Sequence, residues 1–117
     1  VPYSAVFPRA LAIVHSGGIG TLAQALAAGR PQLIVPVAFD QPDNARRAVK
    51  LGVARSIPFG KVRADALVRE LGELLAAPEF GPRARAIGEE VTREDGASAA
   101  CNALEGICQV SPDKFLK

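Results

Sequence analysis

Three short apolar runs constrain this chain more than anything else in it. Each is closed by glycine or proline, and each is followed by a helical stretch. Ala12-Ile13-Val14 ends at His15-Ser16-Gly17-Gly18 and reads as a buried strand before a tight turn. Gln32-Leu33-Ile34-Val35-Pro36-Val37 is nearly continuous in hydrophobicity, as a strand covered on both faces would be. Pro36 should end its regular pairing. Val53-Ala54-Arg55-Ser56-Ile57 reads as a third, short strand closed by Pro58.

Between and after the runs lie helix formers. Thr21 to Ala28 predicts a helix stopped by Gly29, with Pro31 just beyond. Ala38 to Asp43 reads as a loop, and a helix follows from about Pro42 to Leu51 with Gly52 as its stop. Ala45, Ala48, Val49 and Leu51 are its expected inner stripe. Leu67, Leu71, Leu74 and Leu75 stripe a helix over 64–77, which Asp65 begins and Pro78 breaks. Ala84, Ile87 and Val91 stripe another over 81–94, and Asp95 or Ser98 is placed to cap a last one through Gln109. Strands that alternate with helices imply an α/β chain with right-handed crossovers and an open parallel sheet. Three strands are few, since a complete doubly wound domain has about five or six. The expectation is that part of the sheet is missing at the N-terminus.

Composition removes several classes. At 49% hydrophobic and 22% charged residues over 117 positions, the chain is globular rather than disordered. A formal net charge of +2 without Lys/Arg clusters gives no footprint for nucleic acid, and aromatics at 5% give no stacking platform for single strands. No apolar run reaches the roughly 18 residues of a membrane span. Val1-Pro2-Tyr3-Ser4 does not open a signal peptide, and with Met absent the chain reads as a processed or trimmed product. Two cysteines and no secretion signal point to a reducing, cytoplasmic compartment. Cys101 and Cys108 lie two helical turns apart and are expected in the core.

The turn after the first strand carries the chemistry. His15-Ser16-Gly17-Gly18-Ile19-Gly20-Thr21 lies past a strand's carboxyl end and at a helix start, where parallel sheets place ligands. Glycines let amides approach an anion, and the helix N-terminus adds about half a positive charge. Ser16 and Thr21 add hydroxyls, and His15, the only histidine, can donate to a phosphate oxygen. The segment suits a diphosphate. It matches neither G-x-G-x-x-G nor the P-loop pattern. Ser16 beside His15 does not build a triad, because neighbours at a strand end point to opposite faces and no second histidine exists. The plain alternative is a tight strand-to-helix turn with His15 satisfied at the sheet edge.

A set of segments with fixed spacing adds to this. Val1-Pro2, Leu11 to Thr21, Gln24 to Gln32, Val35-Pro36 and Phe39-Asp40-Gln41-Pro42-Asp43-Asn44-Ala45 resemble the donor-binding half of inverting GT-B nucleotide-sugar glycosyltransferases. That group includes plant UDP-glycosyltransferases, macrolide and glycopeptide transferases, bacterial rhamnosyltransferases and sterol glucosyltransferases. The signature covers about the first 45 residues of the chain, and Leu51 to Gln109 agrees only in helical content.

The resemblance implies an α/β, Rossmann-like parallel sheet with flanking helices, an incomplete C-terminal half of a GT-B fold. Residues 1–110 would be a partial nucleotide-sugar-binding domain and 111–117 a polar tail. It implies that His15, Ser16, Gly17, Gly18, Gly20 and Thr21 hold the diphosphate. Gln24 would bond the ribose, Asp40 and Gln41 the sugar, and Val1 would meet the edge of the base. The donor would be a UDP-sugar or dTDP-sugar, with no cofactor and no metal; no D-x-D-like cluster is present. The acceptor would be a hydroxyl of a natural product, lipid or sterol-like molecule. The resemblance places the catalytic base and most of the acceptor pocket in an N-terminal domain, so the chain by itself is expected to be inert. Peripheral membrane contact stays open.

Plainer roles stand beside these. Gln24 can be an exposed helix residue, Asp40 a helix cap, and Asn44 a polar residue at a helix start with no ligand. Arg46 and Arg47 read as a solvated face, and Arg9 and Arg30 as surface charges. Two other functions remain. One is a non-catalytic module that keeps the diphosphate site. The other is a different GT-B enzyme, such as a UDP-GlcNAc transferase or an epimerase, against which Asp40-Gln41 and the His15 opening argue.

Overall fold

A computed structural model describes residues 1–109. The expected polar tail at 111–117 lies outside the described residues. Helix α1 (Tyr3–Val6) and a 3-10 turn (Phe7–Arg9) precede β1 (Ile13–His15). Then come α2 (Ile19–Ala27), β2 (Gln32–Ile34), α3 (Gln41–Lys50) and β3 (Ala54–Ser56). A 3-10 turn (Phe59–Lys61) leads to α4 (Ala64–Ala76), α5 (Phe80–Arg93) and α6 (Gly96–Cys108).

The three strands are parallel in the order β1-β2-β3, with Ile13 opposite Gln32 and Gln32 opposite Ala54. β2 is central and buried throughout, as its apolar run requires. Its two faces lead to two cores. Ile34 joins Leu22, Ala45, Ala48, Val53, Ala54 and Ala84 beneath α2, α3 and α5. Leu33 joins Ile57, Ala66 and Leu74 beneath α4.

Several details differ from the sequence reading. β1 is only half buried: Ile13 is covered but Val14 is 52% exposed. Val14 lies on the α4 side of the sheet, and α4 packs on β2 and β3. β2 stops at Ile34, short of Val37. The Val35 N–H still reaches the His15 carbonyl at 2.9 Å, but Pro36 has no N–H and that of Val37 goes to the Gln41 side chain. Helix α2 begins at Ile19, so Gly20 and Thr21 lie in its first turn.

On α3, Ala45 and Ala48 are buried but Val49 and Leu51 are not. The alanines form a narrow contact stripe, Val49 flanks it, and Leu51 falls beyond the last residue of the helix. On α4, Leu74 is buried while Leu75 is exposed. Cys101 and Cys108 are exposed, which corrects the expected core placement. Their spacing does align them, but none of the described residues of α6 is buried. Arg30 is not a simple surface charge, because it is half-buried and donates to the Pro8 carbonyl.

Arg55 on β3 fastens the sheet to α4, reaching Glu70 at 2.7 Å and Glu73 at 2.6 Å. The hydrogen bond from Arg55 holds the Glu70 carboxyl below its ordinary pKa. A lowered carboxylate pKa stabilises the fold above the unfolded-state value and ceases to do so as pH falls through the folded-state value. Arg55→Met should therefore cost about 1 kcal/mol at neutral pH, a modest figure because the pair is partly solvated. Urea titrations should show that difference vanish in acid; an equal cost at every pH would remove the ion pair as its source.

Candidate functional site

β1 delivers His15 to the carboxyl end of the sheet, and the chain must then reverse into α2 within three residues. Gly17 makes the reversal at φ +89°, a conformation that side chains other than glycine rarely adopt. It also sits tightly: an added Cβ would lie 2.9 Å from Ile34 Cγ2 and 3.3 Å from the Gln41 carbonyl. Gly17 is thus required by the protein itself.

Gly18 and Gly20 are different. Both have negative φ, and a Cβ on either would meet nothing within 4 Å. No internal packing requires glycine there, and Gly20 costs α2 about 1 kcal/mol relative to alanine. Their bare backbones leave open space around the first turn of α2. That turn has no side-chain cap and no acidic residue. Its first helical bond runs from the Leu22 N–H to the Gly18 carbonyl, so the amides of Ile19, Gly20 and Thr21 have no acceptor within the helix. The result is an uncapped, positive helix end with room before it.

The second loop closes against the first. In Gln41, Oε1 accepts from the N–H groups of Val37 at 2.9 Å and Ala38 at 3.2 Å. Asp40 occupies the cap position of α3 but makes no capping hydrogen bond. Its Oδ2 instead accepts from Asn44 Nδ2 at 2.8 Å, and the same nitrogen donates to the Gly17 carbonyl at 2.9 Å. Asn44 therefore ties the glycine turn to the Asp40-Gln41 loop. The sequence reading gave it no such part; its signals were its place in the fixed-spacing segment 39–45 and its position four residues after Asp40 at a helix start.

Phe39 was also not singled out for a role. It is 95% exposed and held at φ +58°, rare for a bulky residue, and it stands directly before Asp40.

His15 is half-buried, and both of its ring nitrogens are engaged within the protein. The Gly17 N–H donates to Nδ1 at 3.0 Å. Nδ1 is then an acceptor, which puts the ring proton on Nε2, and that N–H faces Gln32 Oε1 at 2.7 Å. Burial lowers the His15 pKa below its ordinary value and outweighs the Gln32 bond, which works the other way, so the ring is neutral near pH 7. The ring's one proton points to Gln32, another residue the sequence reading assigned no role. The signal for Gln32 was a polar side chain opening an apolar strand.

Of the remaining expected residues, Ser16 is exposed in the turn and Gln24 is exposed on α2, one helical turn after Gly20. Gln24 borders a small hollow with Ser4, Pro8, Ala27 and Ala28. Val1 is 99% exposed. The structure thus brings His15, Ser16, Gly17, Gly18, Gly20, Thr21, Asp40 and Gln41 to one end of the sheet. Among the described residues, no group of three or more His, Cys, Asp or Glu is placed to hold a metal ion. No helix among them is long and apolar enough to cross a membrane.

Comparison with known proteins returns one consistent picture. A family model described as erythromycin biosynthesis protein CIII-like, C-terminal domain, matches residues 1–110. The chain is 40% identical over 104 residues to O-mycaminosyltylonolide 6-deoxyallosyltransferase of Streptomyces fradiae, covering 88% of this chain and 25% of that protein. Glycosyltransferase VinC in complex with dTDP superposes with a TM-score of 0.84 at 32% identity, over 95% of this chain and 28% of that one. Spinosyn rhamnosyltransferase SpnG, complexed with thymidine diphosphate, gives a TM-score of 0.80 at 26% identity, over 90% and 29%. The chain spans about a quarter of the length of these proteins.

Proposed function

Because the chain belongs to the erythromycin biosynthesis protein CIII-like C-terminal domain family, we propose that residues 1–110 hold the donor of an inverting, metal-independent glycosyltransferase. The donor is a nucleoside-diphosphate sugar, UDP- or dTDP-linked. The named ligands of VinC and SpnG favour dTDP. The sugar moves to a hydroxyl of a small-molecule or lipid acceptor. The acceptor pocket and the base that takes its proton belong to the part of the relatives that this chain does not span.

One observation carries the reading: Gly18 and Gly20 leave open space before an uncapped helix end for which no internal contact accounts. In the proposed complex the amides of Gly18, Gly20 and Thr21 bind the diphosphate, with the hydroxyls of Ser16 and Thr21 beside them. Gln24 meets the ribose, Asp40 and Gln41 the sugar, and the Val1 backbone the base. As the sugar–oxygen bond breaks, negative charge grows on the diphosphate. The fixed amides and the end of α2 already face that charge, so the site stabilises the leaving group without reorganising. His15 borders the site as a neutral ring. An incoming phosphate oxygen, itself an acceptor, contacts this tautomer only by sharing or replacing the Nε2–H bond to Gln32, because Nδ1 has no proton to give.

Calorimetric titration of the protein with dTDP, UDP and thymidine monophosphate tests this. The diphosphates should bind at least about tenfold tighter than the monophosphate, a difference of about 1.4 kcal/mol. His15→Ala should weaken dTDP binding. Equal affinity for the mono- and diphosphates would sink the diphosphate site, and unchanged dTDP affinity in the variant would take His15 out of it.

A further inference from the structure

Among the described residues, Gln32 is the buried polar side chain: it is fully covered in the central strand, amid apolar neighbours. It stands opposite Ile13 on β1, so His15, two residues along on the same face, is its diagonal neighbour. Its Oε1 faces His15 Nε2 at 2.7 Å, while its own Nε2 is buried without a hydrogen-bond partner. A leucine or methionine of similar size would fill this place with no orphaned amide. Packing therefore does not explain the residue, and its oxygen is the part in use.

The direction of both hydrogen bonds in the Gly17–His15–Gln32 relay follows from one backbone group. The Gly17 N–H must donate, so His15 Nδ1 must accept. The ring proton is then on Nε2, and Gln32 must present Oε1 to it, because its amide nitrogen would set donor against donor. Conversely, Oε1 holds the proton on Nε2 and keeps Nδ1 free to receive Gly17. We propose that Gln32 is a positioning residue for the glycine turn. By locking the His15 tautomer it fixes the Gly17 amide, and with it the direction in which the amides that follow meet an anion. The consequence for nucleotide binding rests on the donor-site reading above; the tautomer lock does not.

The test separates the two. Protein labelled with nitrogen-15 histidine is examined by NMR, with a His15→Asn variant to assign the signals. The wild type should show the Nε2–H tautomer with a ring proton shielded from solvent exchange. Gln32→Met should lose that protection. It should also weaken dTDP binding by about tenfold, the worth of one ordering hydrogen bond. Leu33→Ala, a core truncation next door, should lower stability without moving the tautomer. A wild-type ring protonated at Nδ1 overturns the proposal and needs no variant to fold. So does a Gln32→Met protein that keeps both the protected proton and the wild-type affinity. Failure of wild-type protein to bind dTDP overturns the donor reading and the binding half of this proposal, while the ring spectrum still decides the lock.

Discussion

Gly88→Ala should destabilise the fold by about 3 kcal/mol, lowering Tm by on the order of 10 °C. Two effects oppose each other at this site. Gly88 lies within α5, where alanine would add about 1 kcal/mol of helix propensity. But its added Cβ would sit 2.8 Å from Gly29 Cα, 2.9 Å from Gly29 N and 2.9 Å from the Leu26 carbonyl. All three are backbone atoms at the end of α2, and none can rotate away. Relief requires that α5 and α2 separate, and Ala84 and Leu22 share a core between them. The overlap therefore outweighs the propensity. Gly72 on α4 supplies the contrast, because a Cβ there meets nothing within 4 Å. Gly72→Ala should be neutral or stabilising. Paired thermal melts decide the matter: like behaviour of the two variants would mean that α2 and α5 do not meet through glycine.

Gly17→Ala should affect the ligand more than the fold. The left-handed φ costs alanine about 1–3 kcal/mol, and the Cβ presses on Ile34 and on the Gln41 carbonyl. The turn escapes by shifting outward. That moves the Gly17 N–H off His15 and the Gly17 carbonyl off Asn44. Losing one or two charge-assisted hydrogen bonds, about 1.5–3 kcal/mol each, lowers affinity on the order of a hundredfold. Titration should thus show dTDP affinity nearly abolished in a protein that still melts cooperatively. Wild-type affinity would mean that the turn is not where the diphosphate binds.

Much of this architecture was legible because its punctuation is local. Gly29 and Gly52 stop α2 and α3, both at positive φ, and each needs only its own backbone to do so. The order of strands and helices followed from runs whose polarity changes at those stops. Burial was less legible because it depends on what lies opposite. Cys101 and Cys108 align on α6, yet alignment buries nothing without a facing surface. Val14 looked as interior as Ile13, but α4 packs on β2 and β3 and leaves Val14 half exposed. α1 was missed because four residues carry no periodic pattern. At the site, the glycine turn and the Asp40-Gln41 pair stood out by spacing. The residues that hold them in place, Asn44 and Gln32, act through contacts across 27 and 17 positions, which a linear pattern does not encode.

α6 leaves one consequence. Among the described residues, no buried side chain lies beyond Gly88, so the two cores are complete before Asp95 caps the last helix. Within these residues a helix of 13 residues with no buried face is held by its own hydrogen bonds and the Asp95 cap alone, a marginal combination. In this chain, amide hydrogen exchange should therefore be fastest over Gly96–Cys108 and slowest in the central strand.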